Sequence, residues 1–316
     1  SEFKFKILDV LGLSGVHDER PLPSQESHCV QTLLGPTYGP PPNALMVLPG
    51  DESGKRYAVY GTPEKVVGLV KLPLDGNPNC AMGLIAHPGP VKGVCLSHDG
   101  RFVLTTGGSD YGVFLWEVDT SALDASAAMG GSALEPYEAL IPGGKDGEFY
   151  DEMCNYFYLA QLRAQGEDTT EEREISGLVP VDAVPDIFRA LGYYPSNFEI
   201  RDLKNEVKRK GKDSVTMSDL IRLYVNHKPV TEISLDHMKE AFSTLGAEPF
   251  TGILKADALF MMLRRIGEPL SQQELDRCMQ ALIGETLTGR EDFSANTFSE
   301  QILGFDDPAE GENEQE

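Results

Sequence analysis

The chain has 316 residues, 41% of them hydrophobic, enough for two domains with packed cores, and a formal net charge of −23 at pH 7. That acidity argues against nucleic acid as a partner, because phosphate binding needs a concentrated basic face and the one basic run, Lys208 to Lys212, is short. No apolar run approaches the ~20 residues of a bilayer-spanning helix, so no membrane partner is expected, and five scattered cysteines without a C-x-x-C pair suggest a reducing intracellular compartment, with neither a disulfide framework nor a zinc site.

From Lys4 to about Val118, short apolar alternations are broken by Gly, Pro, Asn and Asp, which predicts an all-β region. Its clearest unit, Ala86 to Val118, has short strands separated by turns at Asp99-Gly100 and Asp110-Tyr111-Gly112. This unit resembles a WD repeat, the four-stranded blade of a β-propeller. The resemblance implies a hydrogen-bonded chain of His87, Thr106, Asp110 and Trp116 that ties the loop before the blade to its third strand, making His87 structural. Ala44 to Ile85 supplies an earlier, irregular blade, and Lys4–Val10 with Cys29–Leu34 the last two strands of one before it. The sequence thus starts in mid-blade. Because blades of about 40 residues close only as rings of roughly four to eight, residues 1–120 are expected to be an incomplete propeller portion at the tail of a longer protein.

Residues 121–146, rich in Gly, Pro and small side chains, read as a linker. Residues 147–173 carry Phe149, Met153, Tyr156 and Phe157 at helical spacing, an aromatic stripe that packs either on the following helices or on a foreign partner. From 174 to 305 the pattern is helical, in two similar halves with joints GYYPS and GEPLS in which Ser196 and Ser271 are placed as N-caps. Both joints resemble the link between calmodulin's paired hands. The fold class expected is therefore multidomain, β plus α: C-terminal propeller blades followed by an all-α, calmodulin-like domain of degenerate EF-hand pairs. Residues 306–316, with six acidic side chains, read as a disordered tail.

The loops lack the chemistry of their template. An EF-hand needs oxygen ligands at positions 1, 3, 5 and 12, and with Val215 at position 8 the second loop offers Lys208, Lys210 and Lys212 at the first three and Asp219 at the last. The third offers Gly246, Glu248, Phe250 and Asp257. The fourth aligns only with an insertion, ending at Thr297, although Glu285, Glu291 and Asp292 leave an irregular site open. No metal and no cofactor are expected. Enzyme motifs also fail: GDESGK at Gly50 to Lys55 lacks the flanking Gly and Ser or Thr of a phosphate loop, and Ser97-His98-Asp99 are adjacent residues that cannot orient one another. What remains is surface. Met217, Tyr224, Met238, Phe242, Phe260, Met261, Met262 and Met279 are candidates for a groove that accepts an amphipathic helix.

Taken together, the run from Lys65 to Val94, the blade ending at Val118, the aromatic helix and the joint before Phe198 resemble the C-terminal part of a family of ciliary WD-repeat proteins. These are the cilia- and flagella-associated members of the calmodulin- and spoke-associated complex. The resemblance implies a non-catalytic axonemal scaffold whose partners are radial-spoke base proteins, calmodulin and the tubulin doublet. A calcium sensor with one atypical hand and a regulatory subunit of an enzyme are the alternatives.

Overall fold

A computed structural model describes residues 3–9, 29–36, 40–50, 54–131, 133–166, 172–231, 233–284 and 292–304. The acidic tail and the fourth-loop residues Glu285 and Glu291 lie outside them. The chain forms two compact units, Ser1–Val230 and Thr231–Glu316.

The first unit begins with a two-stranded antiparallel ribbon, β1 (Lys4–Leu8) and β2 (Cys29–Leu34). A four-stranded meander follows, formed by β3 (Ala44–Val47), β4 (Arg56–Gly61), β5 (Val66–Leu72) and β6 (Ala81–Ile85). Then comes a three-stranded meander of β7 (Val91–Leu96), β8 (Phe102–Gly107) and β9 (Val113–Glu117). Strand alternation puts Val59, Val67, Val91 and Val103 into a shared core that Leu123 closes. On the opposite face Tyr60 lies across Gly68 and donates to the Met82 carbonyl at 3.1 Å, and a Cβ at Gly68 would strike that ring and that carbonyl.

The propeller expectation is corrected here. The described sheets are small, antiparallel and open, with two, four and three strands, and none closes on itself. The physical reason is count: closure takes a ring of ~four to eight blades, and this many strands cannot supply one. The linker expectation also gives way. Residues 121–146 carry α1 (Ser121–Met129) and α2 (Glu135–Glu138). Asp124 of α1 accepts from Lys55 (2.5 Å), Lys71 (2.9 Å) and Tyr57 (2.9 Å), and Leu123 is buried beneath it. Small residues are shared by linkers and helices, and Ala, the best helix former, needs only such a pin to stay folded at 121–129.

The helical part of this unit runs α3 (Glu148–Ala164), β10 (Val179–Pro180), α4 (Val184–Ala190), α5 (Asn197–Arg209), β11 (Ser214–Val215) and α6 (Met217–His227). Val179 pairs with Val215, so a two-residue ribbon joins two helix–strand–helix halves. Ser196 caps α5 in a capping box with Glu199, and Thr216 caps α6 with Asp219. The β1–β2 ribbon packs on α5 and α6 and not on the neighbouring sheet as a blade would.

The second unit repeats the scheme with α7 (Leu235–Thr244), β12 (Ile253–Leu254), α8 (Ala256–Leu263), α9 (Gln272–Ile283), β13 (Phe293–Ser294) and α10 (Ala295–Gln301). Leu254 pairs with Phe293 across its ribbon, over a core of Phe242, Leu259, Phe260, Leu275 and Met279. Ser271 caps α9 in a box with Glu274.

Candidate interaction surfaces of the helical units

In the loop between α5 and α6, cations occupy the place of a cation's ligands. The Lys212 ammonium donates to Asp219 at 2.8 Å, and Asp219 also accepts from the Thr216 N–H and hydroxyl at 3.2 and 3.0 Å. Burial acts to raise the Asp219 carboxyl and is outweighed by these donors, which hold it below its ordinary value. Lys210 turns back one helical turn to Glu206 at 2.9 Å. In the third loop Glu248 takes the Thr251 hydroxyl at 2.7 Å, and the Phe250 ring is 97% exposed. Asp292 accepts the Ala256 N–H at 3.2 Å. Among the described residues no group of three His, Cys, Asp or Glu side chains is arranged to hold a metal.

Above that loop the β1–β2 ribbon is fastened to the helices by side chains that satisfy its backbone. The Thr32 N–H donates to Glu206 Oε2 at 3.2 Å and the Leu34 N–H to Asn226 Oδ1 at 2.9 Å. Lys6 pairs with the buried Asp202 at 3.1 Å, and Lys4 reaches the Val225 carbonyl at 3.0 Å. His227 lies 3.2 Å from the same Glu206 oxygen. Burial pushes the Glu206 carboxyl up, but His227 and then Lys210 prevail and hold it below its ordinary 4.5. The loop after β5 joins this cluster: a Cβ at Gly76, whose φ is +79°, would collide with Asn226, and the Tyr137 hydroxyl donates to the Asp75 carbonyl at 2.7 Å. Burial, aided by the nearby Asp75 charge, raises the Tyr137 hydroxyl to about 12.

The residues singled out as a partner groove lie mostly in, or packed against, the cores of the two units. Met217 and Tyr224 belong to the first unit, and Met238, Phe242, Phe260, Met261, Met262 and Met279 to the second. Tyr224, Phe242, Phe260 and Met279 are buried core, Met217, Met238 and Met262 are half-buried, and Met261 alone among the eight is exposed, at 48%. Helical spacing marks an apolar face without saying whether the same chain already covers it. On α3, Met153 and Phe157 are buried against α4 and its neighbours, while Phe149 and Tyr156 sit at the edge of that core. Phe149 stacks on Tyr224 with ring centroids 5.6 Å apart.

In the three-stranded sheet, His87 Nδ1 lies 2.8 Å from Asp110 Oδ2, and His87 Nε2 and Trp116 Nε1 both lie 2.8 Å from the hydroxyl of Thr105. Thr106 is not that partner. The reason is strand parity: Val103 faces Trp116 across the β8–β9 ladder, so Thr105, two residues on, shares Trp116's face while Thr106 points to the other. Asp202, Glu206, Asn226 and His227 went unrecognised in the sequence. One signal was available, since Asp202 and Glu206 sit one turn apart beside Leu203 and Val207, placing two acids on the buried stripe of an amphipathic helix.

Comparison with known proteins bears on the helical region most directly. Residues 148–303 match the family model described as the CFAP251 C-terminal domain. The chain is 39% identical over 274 residues to mouse (Mus musculus) cilia- and flagella-associated protein 251, covering 83% of this chain and 21% of that protein. With the Tetrahymena thermophila protein of the same name it is 34% identical over 320 residues, covering 90% of this chain and 32% of the relative. A weaker similarity, 27% over 119 residues, links 36% of this chain to 79% of myosin light chain 1 of Saccharomyces cerevisiae. The chain therefore spans between a fifth and a third of the length of the ciliary relatives, 21% and 32% of them. On these matches the chain belongs, through the helical units of residues 148–303, to the CFAP251 family of cilia- and flagella-associated proteins.

Proposed function

We propose that this chain is a non-catalytic scaffold segment of the axoneme of motile cilia and flagella, whose helical units hold partner proteins by gripping an amphipathic helix without a metal ion. The observation that carries this reading is the loop between α5 and α6. There the Lys212 ammonium sits 2.8 Å from Asp219, the acid a bound divalent cation would need. With Lys208, Lys210 and Lys212 at the ligand positions the loop repels a divalent cation, so on this reading the geometry of α5 and α6 is independent of calcium. The names of the curated relatives support ciliary and flagellar association. Similarity to a myosin light chain, by its name a subunit attached to a larger protein, supports the helix-gripping mode. On this reading the partners are proteins of the radial-spoke base, calmodulin and its associated complex, and the doublet microtubule.

The test uses the full chain as bait, because the ribbon of residues 4–34 is fastened to α5 and α6. Axonemal extract is captured in parallel with calcium and with chelator and read by mass spectrometry. The expected result is the same set of spoke-base proteins under both conditions. Recovery that depends on calcium through the chain itself would favour a sensor, and recovery of no axonemal protein would remove the scaffold.

A further inference from the structure

The strands that open the chain meet the helices as a ligand meets a site. None of the five residues of β1 is buried, and Ile7 and Leu8 stand 39% and 56% exposed. β2 buries Cys29, Thr32 and Leu33. The helical core from Tyr137 to Val225 has twenty buried residues, none of them from the ribbon's described residues, and Leu34 reaches only its edge. That core is closed without the ribbon, and the ties between the two are polar and directional.

Those ties have a pattern. Alternate amides of a strand point to one edge, and on β2 the Thr32 and Leu34 amides meet one acceptor from each helix, Glu206 of α5 at 3.2 Å and Asn226 of α6 at 2.9 Å. Lys6 of β1 sits 4.9 Å from the centre of the Phe198 ring and 3.1 Å from Asp202. Phe198, Asp202 and Glu206 follow one another at one-turn spacing, so a single stripe of α5 reads both the lysine and the first amide. The site also survives the ribbon's departure. Glu206 keeps Lys210 at 2.9 Å and His227 at 3.2 Å. Asp202 loses Lys6 and the strand above it in one event, so its carboxylate gains water as it loses its cation. The nine residues that join the ribbon to the first sheet, Gly35 to Asn43, include four prolines, the composition of an extended spacer.

We infer that the face of α5 and α6 bearing Phe198, Asp202, Glu206 and Asn226 is a docking site for an extended, lysine-bearing strand, and that the β1–β2 ribbon fills it as a displaceable strap. This goes beyond the scaffold reading and does not rest on it. A competing segment has to offer two amides two residues apart along one edge and a lysine that reaches both Phe198 and Asp202.

The experiment inserts a protease site between Pro42 and Asn43 of the full chain, cuts it, and adds a labelled synthetic peptide of residues 1–42 in excess, with exchange read by native mass spectrometry. Tethering gives the ribbon an effective concentration on the order of millimolar, so a free peptide competes only after the cut. The expected result is that the cut chain takes up the labelled peptide in place of its own ribbon and keeps the circular dichroism of its helices throughout. The same peptide with Lys6→Glu is expected to compete at least about tenfold more weakly, because it sets a carboxylate against Asp202. Loss of helical signal as the ribbon departs overturns the strap, since the ribbon is then part of the core. Absence of uptake overturns displacement, and equal competition by the Lys6→Glu peptide overturns the site. A second measurement needs no insertion. In the unaltered chain the Thr32 and Leu34 amides are expected to exchange with deuterium through an opening that leaves α3 and α5 protected, and opening of ribbon and helices together overturns the strap.

Discussion

Thr105 joins two rings through one oxygen. Trp116 can only donate, so the Thr105 oxygen accepts from its indole N–H and turns its own proton toward His87 Nε2, which leaves the His87 Nδ1–H to donate to Asp110. That hydrogen bond, with the Gly112 N–H, holds the Asp110 carboxyl below its ordinary value. Thr105→Val strips both rings of their partner inside a buried site and is expected to cost ~2–3 kcal/mol in urea unfolding, whereas Thr106→Val is expected to stay within ~0.5 kcal/mol. Equal costs would mean that the relay is not formed. Tyr224 poses the reverse case. Its hydroxyl is buried with no hydrogen-bond partner among the described residues, and burial raises it to about 12. Tyr224→Phe removes that orphaned group and keeps the ring on Phe149 and Phe188, so it is expected to raise stability by ~1 kcal/mol by the same measurement.

At the scale of elements, the β1–β2 ribbon and α5 share one acid. Glu206 accepts the Thr32 amide, faces His227 and binds Lys210, so Glu206→Ala leaves the Thr32 N–H without its acceptor and the Lys210 ammonium without its counter-ion. It is expected to cost ~3–5 kcal/mol at pH 7 and to speed hydrogen exchange at the Thr32 amide well before that at α3. Because the folded state holds the Glu206 proton less tightly than the ordinary 4.5 of the unfolded chain, its contribution is complete above that value and is lost as pH falls through the lower folded one. Glu206→Gln is expected to flatten the stability profile on that acid limb, and an unchanged slope would show that Glu206 is not ionised in the folded state. The elements themselves were legible wherever local rules decide them. Period 3.6 located α3, the N-cap serines Ser196 and Ser271 located α5 and α9, and turn residues located most strands. What a face meets was not legible. Tyr224 and Met279 have the spacing of a groove and are core, Thr105 and Thr106 differ only by strand parity, and no local pattern says that the amides of β2 are satisfied by residues of α5 and α6.

For the whole molecule, two units with separate cores are expected to unfold in two calorimetric transitions. Phe293→Ala, which empties the centre of the second core, is expected to lower one transition by ~3–5 kcal/mol of stability and leave the other in place. A single transition shifted as a whole would mean that the units unfold together. The fastening of the ribbon has a further consequence, which lies in time. The Leu34 amide and its acceptor on Asn226 are 192 positions apart. At the ~5–20 residues per second of synthesis, the β2 strand leaves the ribosome ~10–40 s before the side chains that complete it exist. During that interval its amides must stay hydrated or be shielded by another protein, so β2 is secured only after α6 has been made, and interruption of synthesis between Leu34 and Asn226 yields a chain whose β1–β2 ribbon has nowhere to dock.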